Sequence, residues 1–426
     1  MARITIKNIG PIKDIAFDLN KINVFMGPQS CGKSTLAKVI SFCYWVEKNC
    51  CLLRNENGKI DFNFGSQLES YYNLQGYLNE TSFIEYDSDF IIIKYNGKNN
   101  RTRVADIKLK KENQSKYKRT KILYIPAERN IISTIPNWFS IKLPNGYLQD
   151  FMAEWGEIRN IYNREQPLNI VPLELQYYYN DKTNEDYISV ANEEIKAKRK
   201  FISLFNSSSG IQSSLPLYLL YKAYYQDKER LTTKNSVEDT ITLDNVYQTY
   251  LRYPTTVRYP AETPEHDYFD YKGRYYVVAP GEKEHSIEIL KNFTETQYIQ
   301  GVIEEPELNL FPETQRSLVY DLIHDIIFNE NQLTITTHSP YILFALNNCM
   351  MGGLVGKKIP PERKVDIQSH NSWINPQLVS IYEIHNGELR SIQDEDGILE
   401  DNYLNQVYKR NSAEYLSLLN YYDDEK

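Results

Sequence analysis

Short apolar runs that stop abruptly at glycine, proline or charge set the pattern of this chain. Ile22-Asn23-Val24-Phe25-Met26, Ile122-Leu123-Tyr124-Ile125, Ile299-Gln300-Gly301-Val302-Ile303 and Leu333-Thr334-Ile335-Thr336-Thr337 read as core strands. Helical spacing takes over after two of them. Leu36, Val39, Ile40 and Cys43 predict a helix from Lys33 to about Lys48, and Leu318, Val319, Leu322, Ile323, Ile326 and Ile327 predict another behind Pro312. Core strands alternating with such helices predict an α/β fold with a mixed central sheet flanked by helices. Arg3 to Lys7 and Asp14 to Leu19, around an Asn8-Ile9-Gly10-Pro11 turn, add antiparallel strands at the N-terminus.

Between these signals the pattern loosens into inserted α+β lobes. Phe90 to Tyr95 followed by Asn96-Gly97 predicts a hairpin, because both turn residues tolerate positive φ. Tyr147 to Tyr162 reads as helix, and Leu173 to Val190 as a hairpin around Asn180-Asp181-Lys182. Tyr224 to Thr294, with Arg252-Tyr253-Pro254 and Arg258-Tyr259-Pro260, has neither repeat nor heptads and reads as an inserted lobe. Near the C-terminus, Leu378 to Ile384 and an Asn386-Gly387 turn predict a hairpin, then a terminal helix. The resulting division is 1–130, 131–225, 226–294 and 295–426, with the first and last parts forming the head.

Composition narrows the class. With 426 residues, 41% hydrophobic and 24% charged, the chain buries a sizeable core as a soluble globular protein. No apolar stretch approaches the roughly 20 residues needed to span a bilayer, so a cytoplasmic location without membrane contact is expected. Cys31, Cys43, Cys50, Cys51 and Cys349 show no Cys-x-x-Cys pairing and are expected to be reduced. The net charge of -8 does not suggest a polyanion binder as a whole. A local basic run, Arg101, Arg103, Lys108, Lys110, Lys111, Lys116, Lys118 and Arg119, is either a solvated face or a nucleic-acid-contacting lobe.

Candidate chemistry gathers at the ends of the core strands. Gly27-Pro28-Gln29-Ser30-Cys31-Gly32-Lys33-Ser34-Thr35 fits a phosphate loop, with a strand before it and a helix after it as the motif requires. Its glycines let successive N–H groups turn inward on phosphate, Lys33 would reach the β/γ-phosphates, and Ser34 would hold Mg²⁺. After Ile125, Glu128 and Arg129 are candidates for a nucleotide-site or water-positioning role, or else a structural ion pair. Asn206 to Gln212 opens a helix with a serine-rich start, either an ordinary cap or a second phosphate contact. Glu304 and Glu305 end a core strand, where one carboxylate can help hold Mg²⁺ and the next polarise the attacking water. His338, on the same edge, is placed to meet a γ-phosphate. Asp394-Glu395-Asp396-Gly397 lacks EF-hand spacing and reads as an acidic loop.

The order of phosphate loop, Ser-Ser-Gly-x-Gln, apolar strand with Glu-Glu-Pro-Glu, then Thr-Thr-His-Ser-Pro resembles the ABC-type ATPases of the SMC, RecF and OLD group. It is most similar to the stand-alone ATPases of bacterial anti-phage systems. The resemblance implies a P-loop ABC-type head, hydrolysing ATP with Mg²⁺, in which Gly27 to Thr35 form Walker A. Ser208, Ser209, Gly210 and Gln212 would be the signature, with Ser209 facing the γ-phosphate held by the opposite subunit. Glu304 would take the Walker B magnesium role in place of the usual aspartate, Glu305 would be the catalytic glutamate, Asn309 would lie in the D-loop, and His338 would be the switch histidine. ATP would then be sandwiched in a homodimer, or in a higher oligomer of dimers. The expected function is a sensor or regulator of a separate effector, a nuclease or toxin, in phage defence. The alternatives are a RecF-like ATPase bound to double-stranded DNA, and a nucleotide-gated scaffold with little turnover.

Overall fold

The computed structural model describes residues 2–52, 63–99, 103–170, 173, 175–190, 201–226, 242–243, 246 and 267–422. Its centre is an 11-stranded sheet in the order β6-β5-β4-β1-β2-β17-β16-β3-β15-β14-β7. The strands are β1 (Ala2–Ile9), β2 (Ile12–Leu19), β3 (Ile22–Met26), β4 (Phe83–Asp87), β5 (Ile91–Asn96), β6 (Asp106–Leu109) and β7 (Thr120–Ile125). Four short strands, β8 (Leu168–Ile170), β9 (Leu175–Asn180), β10 (Glu185–Val190) and β11 (Phe201–Ser203), make a second sheet, and β12 (Asp267–Tyr271) with β13 (Arg274–Val278) make a ribbon. The chain returns to the main sheet with β14 (Tyr298–Glu304), β15 (Gln332–Thr337), β16 (Val379–His385) and β17 (Glu388–Ser391).

The longer helices are α1 (Lys33–Leu52), α2 (Phe64–Tyr72), α3 (Tyr147–Ile158), α4 (Ser209–Tyr225), α5 (Lys283–Thr294), α6 (Pro312–Ile327), α7 (Pro340–Val355) and α8 (Tyr403–Leu419). Among the described residues no helix is long and apolar enough to cross a membrane.

The sheet is mixed, as the sequence predicts. β16, β3, β15, β14 and β7 run parallel, whereas β6, β5, β4, β1 and β2 form an antiparallel wing. Parallel strands need crossover connections, and the helices that supply them cover both faces. On β3 the side chains alternate accordingly: Ile22, Val24 and Met26 join Leu215, Leu318 and Leu346 in one core. Phe25 faces the other way, into a core with Leu36, Val39 and Ile40 of α1 and Ile4, Ile6 and Phe17 of the wing. A third cluster packs α5 and the β12–β13 ribbon against Cys51 and Leu52 at the end of α1.

Register decides where the loops emerge. Glu304 pairs with Thr336, and Thr337 pairs with Met26, so β14, β15 and β3 finish side by side. Ile125 pairs with Ile303, which brings the end of β7 to the same edge.

The Asn96-Gly97 hairpin needs correction. β5 does pair with β6, but the chain continues through a 3₁₀ turn at Gly97–Asn99 rather than a two-residue turn. Gly97 is required for close approach instead: its N–H donates to Ser82 O at 2.8 Å, and a Cβ there would lie 1.9 Å from Asn79 O. Arg101 of the basic run, and Arg252-Tyr253-Pro254 and Arg258-Tyr259-Pro260 of the inserted lobe, lie outside the described residues.

Candidate functional site

The candidate phosphate loop joins β3 to α1 beside Ile384 of β16. Gly27 has φ +150° and a Cβ there would meet Ile384 O at 2.3 Å, while Gly32, at φ +110°, would drive a Cβ into Ile12. Only glycine fits either position, because both the dihedral and the space exclude a side chain. Pro28, Gln29, Ser30 and Cys31 form the outer rim, with Ser30 at φ +59°. Lys33 and Thr35 are buried at the start of α1. The Lys33 ammonium donates to Gly27 O at 2.9 Å and Pro28 O at 2.7 Å and lies 3.6 Å from Cys31 Sγ. Burial pulls its pKa below the usual lysine range.

At the end of β14 the two adjacent carboxylates meet different surroundings. Glu304 is buried, and its carboxylate accepts a hydrogen bond from the Tyr124 hydroxyl of β7. Burial raises its pKa, while the Ser34 and Tyr124 hydroxyls oppose the shift. Glu305 turns into the left-handed region at φ +45°, and its N–H continues the ladder to Thr336 O at 2.9 Å. That turn aims its half-exposed carboxylate at His338 Nε2, 3.5 Å away. The hydrogen bond from His338 holds the Glu305 pKa below the usual range, with Lys33 and Arg129 adding to the effect. Glu305 is therefore ionised at neutral pH.

Glu307 locks the histidine loop. Its Oε1 accepts from Thr337 Oγ1 at 2.8 Å and from the His338 backbone N–H at 2.6 Å. Burial raises its pKa, and its Oε2 is buried without a partner.

Glu128 and Arg129, adjacent in sequence, part company. Glu128 is exposed and accepts from Tyr147 Oη at 3.2 Å. Arg129 is fully buried and donates to four backbone carbonyls, those of Pro126, Ser213, Glu304 and Glu305. The ion pair allowed for Glu128 with Arg129 is not what forms; the guanidinium is an internal tie.

α4 begins at the serine-rich stretch. Ser208 occupies its N-cap position without a side-chain cap bond, and Ser209 is exposed. Gln212 is turned back to Phe205 O at 2.8 Å. Among the described residues no hydrogen bond joins Ser208 or Ser209 to the phosphate loop. Asn309, at φ +59°, donates to Ser213 Oγ at 2.8 Å, and its carbonyl leaves no room for a Cβ on Gly210.

One edge of the sheet thus gathers Gly27–Thr35, Glu304, Glu305 and His338, and the start of α4 is tied to the same edge through the bonds of Ser213 and the close approach of Gly210 to Asn309 O. The basic run is not brought to this edge by any described contact. Arg103 pairs with Glu69, Lys110 with Asp87 at 2.7 Å and Lys118 with Glu330 at 2.5 Å. Among the described residues no group of three or more His, Cys, Asp or Glu side chains could hold a metal ion. A hydroxyl beside a carboxylate still suits Mg²⁺, which prefers oxygen ligands, keeps several waters and takes the rest of its shell from phosphates. Ser34 and Glu304 fit that description.

Sequence reasoning passed over Tyr124, Glu307 and Ser213. Tyr124 had one available signal, a hydroxyl-bearing side chain in an otherwise aliphatic strand. Glu307 and Ser213 had none, because their partners are distant in sequence.

A P-loop α/β fold with a mixed central sheet and inserted lobes is what these observations define. No protein family matches the chain, and no curated protein matches it. Among solved structures it is similar to the SMC head domain from Thermotoga maritima, at 11% identity over 92% of this chain and 98% of that one, with a TM-score of 0.36. It is also similar to the recombination mediator protein RecF with ATP, at 12% identity over 91% of this chain and 98% of that one, with a TM-score of 0.31. A third is the Smc head domain with an extended coiled coil bound to the C-terminal domain of ScpA, from Pyrococcus furiosus. Its identity is 10% over 92% of this chain and 96% of that one, with a TM-score of 0.29.

Proposed function

We propose that the protein is an ATP-hydrolysing ABC-type ATPase that closes as a dimer around ATP and Mg²⁺. The observation that carries this is the Glu305–His338 contact at 3.5 Å, on the sheet edge where the phosphate loop presents Lys33. Backbone N–H groups between Gln29 and Thr35 bind the phosphates, which compete with Gly27 O and Pro28 O for the Lys33 ammonium. Ser34 and Glu304 would hold Mg²⁺, which would supply positive charge to offset that of the phosphates. Ionised Glu305 accepts the proton of the attacking water, and His338 meets the γ-phosphate. Ser209, Gly210 and Gln212 of the second copy complete the site, and Asn309 lies between the two. The N–H groups at the start of α4 suit an anion, since Ser208 makes no side-chain cap bond there.

The order of the four motifs supports a sensor or regulator of a separate nuclease or toxin in phage defence. Within the basic run Arg103, Lys110 and Lys118 pair inside the chain while Lys108, Lys111 and Lys116 stay exposed, so a DNA-maintenance reading stands beside the partner-controlled one.

Phosphate release from ATP and Mg²⁺, with and without double-stranded DNA, tests both readings beside Glu305→Gln. Loss of a general base costs on the order of 10²- to 10⁴-fold, so turnover should fall by that much while ATP binding persists. Equal rates in the variant would remove the catalytic assignment, and turnover raised by DNA would transfer the function to DNA maintenance. Nucleotide exchange without phosphate release would favour the scaffold.

A further inference from the structure

We propose that Arg129 is a positioning residue that ties the hydrolytic carboxylate of one nucleotide site to the helix that reaches the other. This rests on the ATPase reading above and adds to it a route by which the two sites of a dimer turn over together.

Arg129 follows β7 on the 3₁₀ turn Ala127–Asn130 and has no exposed surface. Burial lowers its pKa to about 10, yet it remains charged at neutral pH. A buried charge of this kind is retained only where it is hydrogen-bonded or paired, and here it makes four bonds to carbonyls while the charges of Glu307, Glu305 and Glu304 favour it from nearby. Nη1 donates to Glu304 O at 2.8 Å and Pro126 O at 3.2 Å, and Nη2 donates to Glu305 O at 2.7 Å. The peptide held in this way carries Glu305 at φ +45°, a conformation that a non-glycine residue keeps only when its surroundings impose it. Nε donates to Ser213 O of α4 at 2.8 Å. Ser213 lies four positions after Ser209, and its hydroxyl also accepts from Asn309 Nδ2 at 2.8 Å. One planar fork therefore fixes the direction of Glu305 and the axial position of α4 at once.

The geometry of the fork is the reason for arginine. A lysine carries three donors on one nitrogen and cannot span carbonyls from β7, β14 and α4. A shift of α4 that follows a γ-phosphate at its N-terminus would pull on Ser213 O, and through Arg129 on the Glu305 peptide of the same chain. Closure at one site then adjusts the water-activating group at the other.

The test is steady-state ATP turnover and nucleotide affinity for the full chain, for Arg129→Lys, for Glu305→Gln and for the double variant. Misplacing a catalytic group by about 1 Å costs on the order of 10²-fold. Arg129→Lys should lower kcat by roughly 10- to 100-fold with the ATP dissociation constant held within about twofold, and should bring the Hill coefficient for ATP to 1. In the Glu305→Gln background it should change turnover no further. Tyr221→Phe is the control for simple destabilisation, since it removes bonds to Asp321 O and Asp325 elsewhere on α4. It should lower the melting temperature and leave kcat per folded chain unchanged.

Unchanged kcat and Hill coefficient in Arg129→Lys would overturn the inference, as would a loss matched by Tyr221→Phe at equal melting temperature. Should Arg129→Lys not fold, Arg129→Gln, which is shorter and lacks the Nε donor to Ser213 O, must show the kcat loss at unchanged ATP affinity or the inference fails. Absence of turnover in the wild-type chain, or full turnover in Glu305→Gln, would instead remove the underlying ATPase reading.

Discussion

Cys31 lies on the rim of the phosphate loop, half-buried, with its Sγ 3.6 Å from the Lys33 ammonium. Cys43, Cys50, Cys51 and Cys349 are buried, and burial pushes the thiols of Cys50 and Cys349 up to about 12. Thiolate is the reacting species, so alkylation should select Cys31. We expect N-ethylmaleimide to modify one thiol per native chain, at Cys31 by peptide mapping, and bound ATP to slow it in proportion to occupancy. Modification that ignores ATP would show that nucleotide does not cover this loop. At this scale the sequence was most legible where chemistry depends on adjacency: Gly27 to Thr35 and Glu304-Glu305 are contiguous, and the strands before them fix which edge of the sheet they occupy. Arg129 was legible as a candidate but not in its role, because a carbonyl acceptor has no sequence signature.

α1 carries a titratable group that links the phosphate-loop helix to the antiparallel wing. Glu47 is buried, and the Tyr86 hydroxyl of β4 donates to its Oε2 at 3.0 Å. Burial lifts its pKa from 4.5 to about 7. The folded chain therefore holds this proton where the unfolded chain has released it, and stability falls as pH rises from about 4.5 to about 7. Glu47→Gln keeps an acceptor for Tyr86 and removes the charge. It should be more stable than wild type at pH 8, by up to about 3 kcal/mol, with the difference vanishing near the ordinary glutamate pKa. Denaturant melts across that range measure it, and a constant difference at all pH values would contradict the assignment. α4 also departs from what its sequence implies: Pro216 lies inside it and leaves Gln212 O without its helical N–H donor. The neighbouring carbonyl, that of Ser213, is the one Arg129 takes. Helix propensity argues against proline there, and packing of Leu215, Leu217 and Leu219 in the core overrides it.

Across the whole molecule, the head is assembled from segments far apart in the chain. Residues before 130 and after 295 interleave in one sheet, and the alignment of β7, β14, β15 and β3 brings four loops to one edge. The start of α4 carries Ser209 exposed, which is what a contact made by a second copy requires. With Glu305→Gln and ATP·Mg²⁺, light scattering should therefore give a particle of two chains, against 50.0 kDa for one. Ser209→Arg in the same background should return it to the single-chain mass. A particle size indifferent to ATP in both would count against a nucleotide-closed dimer.

The sequence by itself determined the α/β class, the mixed sheet with its antiparallel N-terminal strands, and the strand ends that carry Gly27 to Thr35, Glu304, Glu305 and His338. Each of these is local: periodicity, glycines bounding a loop between a strand and a helix, or a carboxylate next to the strand that presents it. Tertiary structure alone decided that Tyr124 and Ser34 share Glu304, that Glu307 holds the His338 loop, and that Arg129 joins Glu305 to α4. These contacts depend on strand register and on which backbone carbonyl faces which buried donor, quantities set by the packing of the complete sheet.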